Sequence, residues 1–194
     1  MKIILATSND HKIKEFNEMA KNYDLEFISL KSINFDKEII EDGETFQDNA
    51  LIKAKTVASC TDLPVLADDS GIIIEQLGTN FPGVYSHRFQ LQNGGKFETN
   101  KMIVSKVPGS PAYFTCVLVL MNVEKEPQIF EGRYEGKIAN RVTNPDGFGY
   151  DPIFIPKGYD VTVDNLSEAE KNSISHRSRA FAKLVEYLKD KIQK

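Results

Sequence analysis

The stretch that decides the fold is residues 2–30, KIILATSNDHKIKEFNEMAKNYDLEFISL. Lys2 to Thr7 is an apolar run of strand length, and Ser8-Asn9-Asp10-His11 is a polar turn. Ile13, Phe16, Met19 and Ala20 then recur at helical spacing, and Leu25 to Leu30 reads as a second strand. Strand, turn, helix and strand in this order open an alternating α/β pattern.

The pattern extends outward from there. An acidic loop, Glu38 to Glu44, leads to Thr45, a helix N-cap, and the helix beyond it carries Phe46, Ala50, Ala54, Val57 and Ala58 on one face. A short strand, Pro64 to Asp68, ends in Asp68-Asp69-Ser70-Gly71, and Ile72 to Ile74 continue as an extended apolar segment. Gly78 to Gly95 reads as loop, followed by a helix around Phe97 to Val107. Two long strands, Ala112 to Val123 and Gln128 to Val142, flank Pro127 as a hairpin. A glycine-rich turn, Asp146 to Pro152, precedes a short strand, and the C-terminal helix aligns Ala180, Leu184, Leu188 and Ile192. The result is a mixed-sheet α/β protein whose polar turns fall at strand ends, where open sheets place their ligands.

Composition narrows the function. The 194 residues carry 24 basic and 28 acidic side chains, a net charge of −4, which argues against a nucleic-acid partner but leaves room for a local cationic pocket. Two cysteines, Cys60 and Cys116, form no metal or disulfide pattern and read as reduced, buried thiols of a cytoplasmic protein. The run Ile3 to Ala6 is short for a signal peptide, no stretch reaches membrane-spanning length, and no membrane partner is expected.

Five constellations have chemical potential. Thr7 to Lys12 joins a strand to a helix start, where free N–H groups and a mobile lysine suit phosphate; the alternative is a capped helix with a solvated lysine. Asp68 and Asp69 sit next to each other on an extended segment and therefore point to opposite faces. At a strand end, such a pair suits a hard cation or a water-activating base, or simply closes a turn. Glu38, Glu41, Asp42 and Glu44 offer a further carboxylate or a solvated loop. Gly147 and Gly149 let the backbone turn tightly, so that Phe148 or Tyr150 stacks on a base or packs into the core. Lys171 with Ser175-His176-Arg177 provides cations for phosphate or a base oxygen, or an ordinary helix start.

Taken together and in order, these segments resemble the inosine triphosphate pyrophosphatase family over nearly the whole chain. The resemblance is carried by six blocks: Thr7-x-Asn9-x-x-Lys12 with Glu15; Gly43-x-Thr45-Phe46-x-x-Asn49-Ala50-x-x-Lys53-Ala54; Ala67 to Gly71; Pro82-Gly83-Val84-Tyr85-Ser86-x-Arg88; Gly147 to Phe154; and Glu170-Lys171-x-x-Ile174-Ser175-His176-Arg177. His11 stands where the family has a small residue, Ile40 replaces one of two glutamates, residues 78–83 are one longer, and residues 142–147 form a shorter loop.

The resemblance implies an elongated mixed sheet with two helix-flanked lobes and a cleft between them, a single pyrophosphatase domain over residues 1–194, and a homodimer. It implies Mg²⁺, with Mn²⁺ as a substitute, held by Asp69 and Glu41. Thr7, Ser8, Asn9, Asp10, His11 and Lys12 would hold the triphosphate, and Lys53 and Asp68 would support Asp69. Lys12, Lys171 and Arg88 would neutralise phosphates. Ser70, Gly149, Tyr150 and Asp151 would line the substrate, Phe148 would stack on the purine, and His176 with Arg177 would read its 6-position. Two other readings are a pyrophosphatase for modified pyrimidine or methylated nucleotides, which a substrate panel separates, and a non-catalytic nucleotide-binding module. The presence of Asp68, Asp69, Lys12 and Lys171 argues against the latter.

Overall fold

The computed structural model describes residues 1–192, so the last two residues of the expected domain, Gln193 and Lys194, lie outside the described residues. In chain order the elements are β1 (Lys2–Leu5), α1 (Asp10–Met19), β2 (Glu26–Ile28), α2 (Phe46–Ala58), β3 (Val65–Ile74), α3 (Ser86–Gln92), α4 (Lys96–Lys106), β4 (Pro111–Met121), β5 (Gln128–Ile138), β6 (Phe154–Pro156), α5 (Glu168–Ile174) and α6 (His176–Ile192). The strands form one sheet in the order β2-β1-β3-β4-β5-β6. β1 runs parallel to β2 and β3, whereas β5 and β6 are antiparallel, so the sheet is mixed as expected.

Residues cluster into two compact units. The first comprises residues 1–69, 117–131 and 179–192; the second comprises residues 70–116 and 132–178. The first unit is built around β1, whose Ile3, Ile4 and Leu5 are fully buried, as a strand with parallel neighbours on both sides requires. Phe16 of α1 packs its ring 5.3 Å from Phe27 and 6.1 Å from Phe181. Complete burial of such a side chain contributes about 1.5–3 kcal/mol. The second unit centres on Ile72, Ile74, Ile103, Tyr134, Ile138 and Phe154.

Four expectations are corrected. β3 does not end at Asp68 but runs unbroken from Val65 to Ile74, which puts Asp68-Asp69-Ser70-Gly71 in mid-strand. Their turn-like composition is overridden by the sheet, in which β3 lies between β1 and β4. The stretch read as loop contains α3, anchored by Ser86, whose hydroxyl donates to Gly83 O and accepts from Ile72 N. β2 and β5 stop short of their expected ends, β2 because a 3₁₀ turn takes over at Leu30. Cys116 is buried, but Cys60 is exposed because α2 ends at Ala58, two residues before it.

Candidate active site

In the first unit, local sequence positions three charged segments. α1 starts where Asn9 caps it, its side chain accepting from His11 N at 2.9 Å, while Thr7 Oγ1 accepts from Asn9 N at 3.1 Å. The expected anion-ready helix start is therefore formed, with Ser8, Asn9, Asp10 and His11 exposed around it. Lys12 is not the mobile cation expected. Its Nζ donates to both carboxylate oxygens of Asp68, at 2.8 and 3.0 Å. Asp68 is 1% exposed, and a carboxylate that deep needs a countercharge.

α2 starts at a capping box, in which Thr45 and Asp48 exchange side-chain-to-backbone bonds. Its buried stripe is Phe46, Asn49, Ala50, Lys53, Ala54 and Val57. Two polar side chains on that stripe depart from the apolar pattern of a core-facing helix. Lys53 explains its own burial: Nζ lies 3.0 Å from Glu41 Oε2 and 3.5 Å from Asp69 Oδ1. Burial would depress the lysine pKa, but the carboxylates of Asp69, Asp68 and Glu41 outweigh it and the net shift is upward. Burial also raises the pKa of Asp69; Glu41 and Asp68 add to the rise, and Lys53 and Asn49 oppose it.

Asn49, which the motif reading left without a role, ties this group together. Its Oδ1 accepts from Gly43 N at 2.8 Å, and its side chain opposes the rise in the Asp69 pKa. Gly43 has to be glycine, because a Cβ there would lie 2.6 Å from Asp48 Cβ and 2.7 Å from Asn49 Oδ1. The signal for Asn49 was its position three residues after the Phe46 anchor and four before Lys53, a polar side chain on the core face.

Adjacent carboxylates thus do point to opposite partners, Asp68 to Lys12 and Asp69 to Lys53. Lys53 reaches Asp69 directly, its Nζ 3.5 Å from Oδ1, while Asp68 is held by Lys12. Among the described residues no three His, Cys, Asp or Glu side chains cluster as a ready-made metal cage. Asp69 and Glu41 remain as a pair of hard oxygen donors. Two carboxylates suffice for Mg²⁺, which usually completes its shell with waters and substrate phosphates.

In the second unit the groups are arranged differently. Arg177, in the first turn of α6, donates from Nη2 to Ser70 Oγ at 3.4 Å. His176 stacks on Phe114, ring centroids 5.1 Å apart and planes 18° from parallel. Lys171 Nζ lies 3.8 Å from Asp151 Oδ2. Burial pushes the Asp151 carboxyl up to about 6; Lys171 opposes the shift and Asp164 adds to it.

The glycine turn separates the two aromatic candidates. Phe148 is 80% exposed, while Tyr150 is 5% exposed and donates its hydroxyl to Ser86 O. Tyr150 therefore takes the core role that the sequence had left open, and Phe148 is the ring presented to solvent. Gly149 adopts φ +54°, which glycine tolerates best. Arg88 is engaged over the ring of Tyr85, 5.3 Å from its centroid. A cavity of about 490 Å³ on this unit is lined by Tyr113, Arg133, Lys137 and neighbours, and by none of the candidate residues.

The first unit thus carries a buried ammonium shared by two acids and a capped, anion-ready helix start on an open mixed α/β sheet. The chain belongs to the Ham1 family, whose pattern matches residues 3–187. It is 38% identical to the dITP/XTP pyrophosphatase of Caldanaerobacter subterraneus subsp. tengcongensis, over 100% of this chain and 98% of that protein. It is 40% identical to the dITP/XTP pyrophosphatase of Bacillus subtilis (strain 168), over 95% and 96%. The structure of a HAM1 protein from Coxiella burnetii superposes with a TM-score of 0.87 at 36% identity, covering 98% of this chain and 99% of that one. The sequence resemblance and the fold agree.

Proposed function

We propose that this chain hydrolyses deaminated purine nucleoside triphosphates (ITP, dITP and XTP) to the monophosphate and pyrophosphate, with Mg²⁺ as cofactor and Mn²⁺ as a substitute. The observation that carries this reading is the convergence of Glu41 and Asp69 on the buried Lys53, at 3.0 and 3.5 Å, in a chain whose relatives bear the name dITP/XTP pyrophosphatase.

When bound, the metal supplies positive charge that offsets the phosphate oxygens and the departing pyrophosphate. The chain's own residues do the rest. The N–H groups at the start of α1 receive phosphate oxygens beside Lys12, which stays on Asp68, and Lys171 and Arg88 add charge. Asp69 accepts a proton on its carboxylate from the water that attacks the α-phosphorus; the α–β anhydride bond breaks and pyrophosphate leaves. Lys53 orients Asp69 and Glu41, and Phe148 stacks on the purine.

Arg177 accounts for base choice. It only donates hydrogen bonds, so it pairs with the 6-oxygen of hypoxanthine or xanthine and leaves the adenine 6-amino group without a match. Mismatched polar groups in a buried site reject a ligand by roughly 10⁴–10⁵. Guanine shares the 6-oxygen, so rejection of GTP depends on exclusion of its 2-amino group. We place the enzyme in the cytoplasm as a homodimer that acts on free nucleotides and cleanses the nucleotide pool; sedimentation analysis tests the assembly.

The decisive measurement is pyrophosphate release over a nucleotide panel, with wild type and Arg177→Ala compared on ITP and ATP. Wild type is expected to prefer ITP strongly, and the variant to lose most of that preference. Orthophosphate release, full activity in excess chelator, or equal loss on both substrates overturns the reading.

A further inference from the structure

We propose that Asn100, on the buried face of α4, is a positioning residue that holds the Phe148 turn in its base-stacking geometry. Its Nδ2 donates to Gly149 O at 2.9 Å, one residue beyond the exposed ring. The inference rests on the assignment of Phe148 as the base-stacking residue.

Three restraints converge on the turn. Gly147 is packed so closely that a Cβ would lie 2.3 Å from Pro152 Cγ and 2.6 Å from Asp164 Oδ1. Tyr150 is in the core with its hydroxyl on Ser86 O. Between these anchors, Gly149 sits at φ +54° with open space around it, and the Asn100 amide is the bond that pins its carbonyl. Phe148 itself is 80% exposed and so receives little guidance from packing. Its direction must come from the backbone, and a preorganised ring loses less entropy when a base stacks on it.

Asn100 is a poor choice for stability alone. It is 2% exposed, beside Thr99, Ile103 and Val104 on the buried side of α4, and its Oδ1 has no hydrogen-bond partner among the described residues. Asparagine is also a weak helix former, and a buried acceptor without a donor is costly. An apolar side chain of similar size would suit the helix and the core better. A residue that works against its local environment is expected where function requires it.

The test combines kinetics with a spectroscopic probe. The chain contains no tryptophan, so Phe148→Trp places a sole indole at the turn, and its fluorescence anisotropy reports local mobility. Asn100→Leu should leave Tm unchanged or higher, lower that anisotropy, and raise KM for dITP about 3- to 10-fold with kcat nearly unchanged. That is a fraction of the roughly 5- to 100-fold expected when the stacking ring is removed by Phe148→Ala. In the Phe148→Ala background, Asn100→Leu should have no further effect on KM. If the leucine variant fails to fold, Asn100→Ala carries the same expectations. Should Phe148→Ala raise KM while the Asn100 variants leave both KM and anisotropy unchanged, the inference falls and the stacking role stands. Should Phe148→Ala itself leave KM unchanged, the stacking role falls and the inference with it. A fall in Tm with kcat and KM both intact would make Asn100 a structural residue only.

Discussion

The Lys53 group and the Phe148 turn serve one substrate in the proposed reaction but are built by opposite means. Around Lys53, the ammonium and the carboxylates of Asp68 and Asp69 are largely buried on a helix and a central strand, Glu41 reaches in from an exposed loop, and each is held by a partner of opposite sign. At Phe148, an apolar ring stands in solvent on a glycine turn, and only the backbone beneath it is tied down. The difference follows from the ligand. Phosphates and a metal demand fixed charge, and charge can be held in a protein interior only when it is countered. A purine face demands a flat apolar surface that is bare until the base arrives. Activity should therefore be most sensitive to the first region, and substrate affinity to the second.

The largest effect expected is at Asp69. Asp69→Asn removes the proton acceptor while keeping shape, and should lower kcat about 10²- to 10⁴-fold with an unchanged circular dichroism spectrum. A folded variant with near-normal turnover would show that the buried charges are structural, and the contrast between the regions would collapse.

Lys53→Met tests the same region through stability. It leaves Asp69 and Glu41 facing each other without their shared cation, and Lys53 is only 9% exposed. Breaking a buried ion pair costs about 3–5 kcal/mol, and the lower end applies here because Glu41 remains partly solvated. Urea denaturation should show the loss, and added Mg²⁺ should restore part of it by countering the same carboxylates. An unchanged denaturation midpoint would mean that the acids do not need the lysine.

The smallest effect belongs to the second unit and is read through pH. The Asp151 carboxyl titrates near 6 in the folded protein, above its ordinary 3.8. Between these values the native state binds the proton more readily than the unfolded chain. Its contribution to stability is thus fully present below the ordinary value and is lost as pH rises through about 6. Asp151→Asn should remove that slope, so the variant should gain Tm relative to wild type between pH 4 and 7. A Tm difference that does not vary over this range would show that Lys171 already neutralises Asp151.

What the sequence by itself determined was most of what depends on local pattern. Helical spacing located α1, α2 and α6, the polar loop from Thr7 to Lys12 marked an anion-ready helix start, and the ordered motifs pointed to the family. Alternation along an extended segment foretold that Asp68 and Asp69 would meet different partners. Tertiary structure decided what depends on neighbours distant in the chain. Asp68-Asp69-Ser70-Gly71 reads locally as the end of a strand, yet the sheet carries β3 straight through it. Lys12 reads as a free cation, but a carboxylate 56 residues away captures it. Phe148 and Tyr150 are equivalent in sequence, and only the core that accepts Tyr150 leaves Phe148 exposed. Asn49 and Asn100 gave only the faint signal of a polar residue on a buried helical stripe, because their significance lies in which backbone and carboxylate groups the fold brings to their amides. Local propensity acts over one turn or strand, whereas the burial of charge and the choice of hydrogen-bond partner are properties of the packed chain.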